Sequence, residues 1–338
     1  KTKQYLSIKK ICKLDYNQIW KYGALINIFG FLLYSISSGF DFSIFNIFSS
    51  ESYEIDFLAY KGSFYNYARM AILFLITGTL LTTIASLKLK KKVILSFFII
   101  ILTSLIFIKG GFRYRLLFLI LPILLFYFLN SKSRKITFFA AIPIGVFFAN
   151  IFEIIRTYGS GLQIEQISNF SLDMFLQQGF TGAESNVFFS TAGIMSIIPE
   201  RLNFIYFTPI VQTLLYPIPQ AFIEKNSGDY IRRAFETLLS HPTAGSGAAF
   251  LNFGEYYYMF GWAGIIIFST ILGFILKKLW IWILVHQEEP LALPLYLLNI
   301  SYIFMIISRG YMPQQVLLYI FSIMPINLIY YFNSKKII

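Results

Sequence analysis

The chain has 338 residues, is 57% hydrophobic and 19% aromatic, and carries charge at only 13% of its positions. Soluble domains hold about twice that charge, so the composition, with a mean hydropathy of +0.66, excludes a soluble globular protein and predicts a polytopic helical membrane protein. The net charge of +12 does not point to nucleic acid, because the basic residues flank apolar runs; it reads as a topology signal.

The chain opens on Lys1-Thr2-Lys3 without a Met and is expected to be an N-terminally truncated piece. About eight spans are predicted, at 22–40, 67–87, 93–108, 116–129, 136–155, 260–276, 291–307 and 314–332. All should be helices, since lipid offers no partner to a lone backbone N–H or C=O. The third and fourth are short, and Lys92 and Lys109 are placed to snorkel to the two interfaces around the third. Residues 1–338 thus read as a single all-α integral membrane domain, with a large outer loop at 156–259 between the fifth and sixth spans. Within that loop, 203–222 is apolar but broken by Pro209, Pro217 and Pro219. It is expected to lie in the interface or dip into the outer leaflet, with a pair of extra spans as the alternative. The single Cys12 excludes an internal disulfide.

With the first residue placed in the cytoplasm and the sides alternating, sixteen of nineteen Lys fall inside and eight of nine Arg fall outside. Every inner loop is then basic, as the positive-inside rule asks. The rule accounts for the lysines and not for the outer arginines. Guanidinium is planar, permanently charged and able to grip phosphate oxygens with two parallel hydrogen bonds, so an outer arginine cluster suits an anionic ligand such as a polyprenyl pyrophosphate. The plainer alternative is pairing with the outer acids, as the spacings Glu153/Arg156 and Arg232/Glu236 permit.

Three stretches carry the candidate chemistry. Gly110-Gly111-Phe112-Arg113-Tyr114-Arg115 lies where the third span ends outside and the fourth begins. Glycines allow close backbone approach and a helix N-terminus attracts anions; the plain reading is a tight turn with anchoring arginines. Arg232-Arg233 precedes the glycine-rich turn His241-Pro242-Thr243-Ala244-Gly245-Ser246-Gly247, which fits a phosphate clamp, with His241 either a general base or an ordinary loop residue. Glu255, in Gly254-Glu255-Tyr256-Tyr257, sits just outside the sixth span; a carboxylate at a half-buried boundary is a candidate base, or else a salt-bridge partner for an outer Arg. Gly261 and Gly264 read first as small residues for close helix packing and the aromatics as an interfacial belt. No outer Asp-x-Asp pair, His/Cys cluster or Walker loop is present, so neither a metal nor a cofactor is expected.

Gly111-Phe112-Arg113-Tyr114-Arg115, Glu153-Ile154-Ile155-Arg156, the long outer loop and Gly254-Glu255-Tyr256-Tyr257 with Gly261 and Gly264 together resemble Wzy-type O-antigen polymerases, the oligosaccharide repeat-unit polymerases. The resemblance covers about 88–309. It implies a helical bundle similar to the metal-independent C-type glycosyltransferases, in the bacterial inner membrane, acting in lipopolysaccharide or related surface-polysaccharide synthesis. It further implies transfer of a nascent glycan from undecaprenyl pyrophosphate to the next lipid-linked repeat unit on the periplasmic face, with a chain-length regulator protein as a possible partner. Paired outer-loop arginines matter in that family, some within an Arg-x10-Gly pattern. Arg233 to Gly245 is one residue too long for that pattern, so the role carries over and the motif does not. On this reading Arg113, Arg115, Arg156, Arg232, Arg233 and Arg309 hold the two pyrophosphates, and Glu255 or His241 takes the acceptor proton. The rivals are an O-antigen ligase transferring the glycan to lipid A core, for which His241 would serve, and a lipid-linked oligosaccharide flippase.

Overall fold

The computed structural model describes residues 10–37, 40, 64–109, 113–130, 183–218, 222, 229–238 and 250–336; the expected fifth span at 136–155 lies outside them. The apolar runs it does describe are helical. Helix α1 is Tyr16–Ser37. Helix α2 (Phe64–Met70), a 3-10 turn (Ala71–Leu73) and α3 (Phe74–Leu89) follow one another without a gap. Then come α4 (Val93–Lys109) and α5 (Arg113–Asn130). The connection before the long helix holds three shorter helices, α6 (Ala183–Ile197), α7 (Thr208–Leu215) and α8 (Asp229–Leu238). The C-terminal third is α9 (Asn252–His286), α10 (Ala292–Ser308), α11 (Met312–Ser322) and α12 (Met324–Asn333). Among the described residues the fold is all-helical save for a small ribbon in which β1 (Lys10–Cys12) pairs antiparallel with β2 (Ser334–Lys336).

Among the described residues, α1, the stretch Tyr67–Leu89 and α9 are each long and apolar enough to cross a membrane. Helices α11 and α12 pass the same test together, as one span bent by 45°. The bend falls at Ile323 because Pro325 opens the following helix and supplies no N–H to continue the ladder. Helices α4, α5 and α10 are apolar but shorter. These spans make the chain a multi-pass membrane protein.

Helix α3 is the buried axis of the bundle, and α1 lies against it through facing glycines. A Cβ on Gly23 would come within 2.9 Å of the Gly78 carbonyl, the Thr82 nitrogen and the Leu81 Cβ. Only the absence of a side chain lets the two backbones approach that closely, the usual device where lipid removes any hydrophobic drive between helices. The buried face of α3 is also polar: Thr79 bonds Thr103 of α4 at 3.1 Å, and Ser86 bonds Ser96 at 2.7 Å.

The sixth span proves much longer than expected. Helix α9 has 35 residues, about 50 Å at 1.5 Å per residue, against a hydrocarbon core of about 30 Å. It is not straight. Phe260 (φ −141°, ψ 21°) and Gly261 (φ 61°, ψ −145°) break it. Gly261, read from sequence as a packing residue, takes a backbone conformation open essentially to glycine alone. The break frees the carbonyls of Tyr258 and Met259, and these accept the N–H groups of Ile205 at 3.0 Å and Tyr206 at 3.1 Å. The segment between α6 and α7 is thereby stitched to the kink in α9. The portion after Gly261 is the spanning part, and Glu255 precedes it.

Lysines and arginines collect at opposite ends of the bundle. At one end Lys92 lies 3.6 Å from the Trp20 ring, joining the start of α4 to the start of α1. Lys88 bonds Asn130 at 2.8 Å, joining the end of α3 to the end of α5. There, too, the Cys12 N–H donates to Glu289, which also meets His286 and Tyr330, clasping the two chain ends together. At the opposite end lie the starts of α5, α9 and α11 and the end of α10, with Arg115, Glu255 and Arg309.

Candidate active site

A backbone bridge sets the geometry. The Gly310 N–H donates to the Phe250 carbonyl at 2.6 Å, so the end of α10 is zipped to the residues just before α9. A Cβ on Gly310 would sit 2.9 Å from the Leu251 carbonyl, so the approach needs glycine there. The bridge places Arg309 on one side and the first turns of α9 on the other. Thr191 of α6 accepts the Leu251 N–H at 2.8 Å and fixes that start from the loop side.

Glu255 is buried, 1% exposed. Its Oε1 accepts the Tyr230 hydroxyl at 2.6 Å, and the Met312 N–H reaches Oε1 and Oε2 at 3.1 and 3.2 Å. Met312 is the first residue of α11, so the carboxylate also meets the positive end of that helix. Three elements, α8, α9 and α11, therefore meet on one carboxylate. Burial, then the Glu255 charge beside it, push the Tyr230 phenol far above its ordinary range, so Tyr230 stays a donor.

Beside Glu255 lies a cavity of about 250 Å³. Its polar end is Asn252, Glu255, Arg309 and Gln315; Asn252 and Glu255 are three apart on one face of α9. Gln315 donates to the Arg309 carbonyl at 3.2 Å. Most of the remaining wall is apolar or aromatic, with Phe268, Ile271 and Ile275 of α9, Ile306 of α10 and Val316 of α11. Ile271 and Ile275 are 49% and 44% exposed, so this wall opens to the surroundings of the bundle at membrane depth. A charged head joined to an apolar opening is the shape an amphiphile requires.

Of the six expected arginines, the structure brings two together. Arg309 lines the cavity, and its guanidinium lies 5.9 Å from the centre of the Tyr114 ring. Arg115 lies 5.5 Å from the same ring and its Nε donates to the Tyr114 hydroxyl at 3.3 Å. Arg115 itself is 1% exposed and borders a separate gap of about 20 Å³, room for a water and no more. Helix α5 already begins at Arg113, so Arg113 and Arg115 lie about 200° apart around it and do not share a side. Arg233 is exposed on α8; burial pushes the Tyr258 phenol up, and the Arg233 charge offsets part of that rise. Arg232 belongs to the same helix; its side chain and that of Arg113 lie outside the described residues, as do Arg156 and His241 altogether. No group of His, Cys, Asp and Glu able to hold a metal occurs among the described residues.

Sequence reasoning missed Tyr230, Tyr114 as a platform, Asn252 and Gln315. The i, i+3 spacing of Asn252 and Glu255 was the available signal for Asn252; nothing local marks Tyr230, whose partner is 25 residues away.

The described residues thus form a helical multi-pass protein with a cavity that Glu255 and Arg309 both line. A family comparison gives the particular class: the model of the O-antigen polysaccharide polymerase Wzy matches residues 4–336, nearly the whole chain, and the chain belongs to that family. No curated protein and no solved structure matches it.

Proposed function

We propose that this chain polymerises undecaprenyl-pyrophosphate-linked oligosaccharide repeat units by metal-independent glycosyl transfer on the periplasmic face of the bacterial inner membrane. Family membership gives the polymerase activity on O-antigen repeats. What carries the finer reading is the cavity that joins Arg309 and Glu255 to an apolar wall. A lipid pyrophosphate divides the same way: the tail lies along Ile271 and Ile275, and the diphosphate meets the Arg309 guanidinium.

Arg309 grips the diphosphate and offsets the charge that grows on it as the glycosyl bond breaks, an interaction stronger in the transition state than in the ground state. Tyr114, held from beneath by Arg115, sets the plane of Arg309. Glu255 takes the proton from the acceptor hydroxyl as the new bond forms, and the diphosphate leaves with the old one. In this reading Arg233 and its neighbour Arg232, both on the helix that Tyr230 ties to Glu255, meet the second lipid's phosphates. Arg113, Arg156 and His241 keep the substrate-binding and base roles proposed for them from sequence. A bundle of about eight spans, similar to C-type glycosyltransferases, and a chain-length regulator partner complete the proposal.

The test is turnover by the purified protein in liposomes carrying one lipid-linked repeat unit together with lipid A core, with a chelator present. Ladders of lengthened glycan with release of undecaprenyl pyrophosphate support the reading. Capping of lipid A core without ladders would make the chain a ligase, and movement of substrate across the bilayer without new bonds would make it a flippase.

A further inference from the structure

Helix α7 is eight residues long, about 12 Å, and cannot cross a bilayer. One of its faces lies on protein: Pro209 is buried, and Thr213 reaches the rim of the Glu255–Arg309 cavity. The other face is a stripe of Phe207, Val211 and Leu214, spaced at i, i+4 and i+7. Those three side chains are 62%, 51% and 72% exposed, and Phe222 beyond the helix is 79% exposed. No charged residue lies in α7. So apolar a stripe facing water would be an unstable arrangement.

The stripe runs on from a surface that must face lipid. The Phe207 ring packs edge-on against Phe260 at 4.9 Å, at the kink where the spanning part of α9 begins. Immediately beyond lie Trp262 and Ile266, 66% and 67% exposed on the outside of the span. The bonds from Ile205 and Tyr206 to the freed carbonyls of α9 fix α7 at that level, so its depth is set by the span itself. A Trp and a Tyr beside the stripe match the residues that favour the headgroup boundary.

We infer that α7 is an interfacial helix whose Phe207–Val211–Leu214 face lies in the acyl chains of the outer-end leaflet. Its inner face then walls the cavity from the lipid side, and a lipid-borne substrate meets the cavity at leaflet depth without passing through water. This placement rests on the spans of the bundle and not on the proposed chemistry.

Nitroxide labels decide it, in full-length protein with Cys12→Ser, reconstituted in phospholipid vesicles. Val211→Cys and Leu214→Cys are labelled singly, with Ile266→Cys as the lipid-facing reference and Glu200→Cys as the water-facing one. Spin relaxation is read against oxygen, which concentrates in lipid, and against a water-soluble nickel chelate. We expect positions 211 and 214 to follow Ile266, with high oxygen and low nickel access. Nickel access like that of Glu200 would put α7 in water and overturn the inference. Low access to both agents would mean that protein covers the face, and would overturn it equally. Polymerase turnover measured in the same vesicles stands or falls separately.

Discussion

At the scale of single residues, the site rests on unequal arginines. Arg309 faces the cavity, whereas Arg115 is sealed beneath Tyr114. The two should therefore fail differently. Arg309→Lys keeps the charge and loses the fork, and should cost about 1.5–3 kcal/mol in the transition state, or roughly ten- to hundredfold in turnover. Arg115→Lys should lower the melting temperature in detergent as well, because a buried, hydrogen-bonded guanidinium is replaced by a more strongly hydrated point charge. Equal thermal stability of the two variants would contradict the placement of Arg115. Tyr230→Phe removes the donor that favours the charged carboxylate of Glu255. If Glu255 is the base, the rate falls as pH drops through its titration. Losing a donor to the ionised form makes that form harder to keep, so the fall in Tyr230→Phe should begin at higher pH. Glu255→Gln should abolish it. A pH–rate profile of Tyr230→Phe superimposed on wild type would remove Tyr230 from the site. Arg309 and Glu255 stood out in the sequence as charged residues beside apolar runs, and the structure shows that both line the cavity. Burial of Arg115 was not legible, because the same argument applies to it and only packing separates the two.

At the scale of elements, glycine decides two contacts. Gly23→Ala should destabilise the bundle by about 1–3 kcal/mol, since its Cβ meets backbone atoms of α3 that cannot swing away. Gly273→Ala on the same measurement should cost nothing, since a Cβ there meets no atom within 4 Å. Matched melting curves in one detergent check the pair. Gly261→Ala forces a side chain into a φ of +61° and should cost about 1–3 kcal/mol or straighten the helix, pulling Glu255 from its partners and lowering turnover with it. The helices themselves were readable from apolar runs, and α4 begins where the run begins, at Val93. The extent of α9 was not. Lys277 and Lys278 read as the end of a span, yet the helix continues to His286, because lysine does not interrupt a helix and the apolar run resumes at Leu279; Lys278 sets its ammonium 4.5 Å from the Phe274 ring. The kink was invisible for a different reason: a glycine in an apolar run has the same signature whether it packs or turns. The apolar, proline-broken segment at 203–222 was expected in the interface or as two spans, and the eight-residue α7 within it is too short for a span.

At the scale of the molecule, the two kinds of basic residue mark two ends. The lysine end, with Lys88 and Lys92 against Asn130 and Trp20, lies across the bundle from Arg309 and Glu255. Charge bias along the sequence foretold this separation, because it depends only on counting alternate loops; which arginines meet depended on contacts such as the Phe250–Gly310 bridge that no local pattern encodes. Cysteines in place of Glu200 and Lys91, in the Cys12→Ser background, should label in opposite ways with an impermeant maleimide on intact cells: Glu200→Cys at once, Lys91→Cys only after permeabilisation. The reverse would turn the molecule over and move the cavity to the cytoplasm. The central claim is that the Arg309 end of the cavity holds diphosphate while its apolar wall holds the lipid. Equilibrium binding of undecaprenyl pyrophosphate, without sugar, to purified wild-type, Arg309→Lys and Ile271→Asp proteins tests it most directly. Both variants should bind about tenfold or more weakly, each costing about 1.4 kcal/mol or more, and undecaprenol should lose affinity only with Ile271→Asp. Unchanged affinity for the diphosphate in both variants would contradict the account.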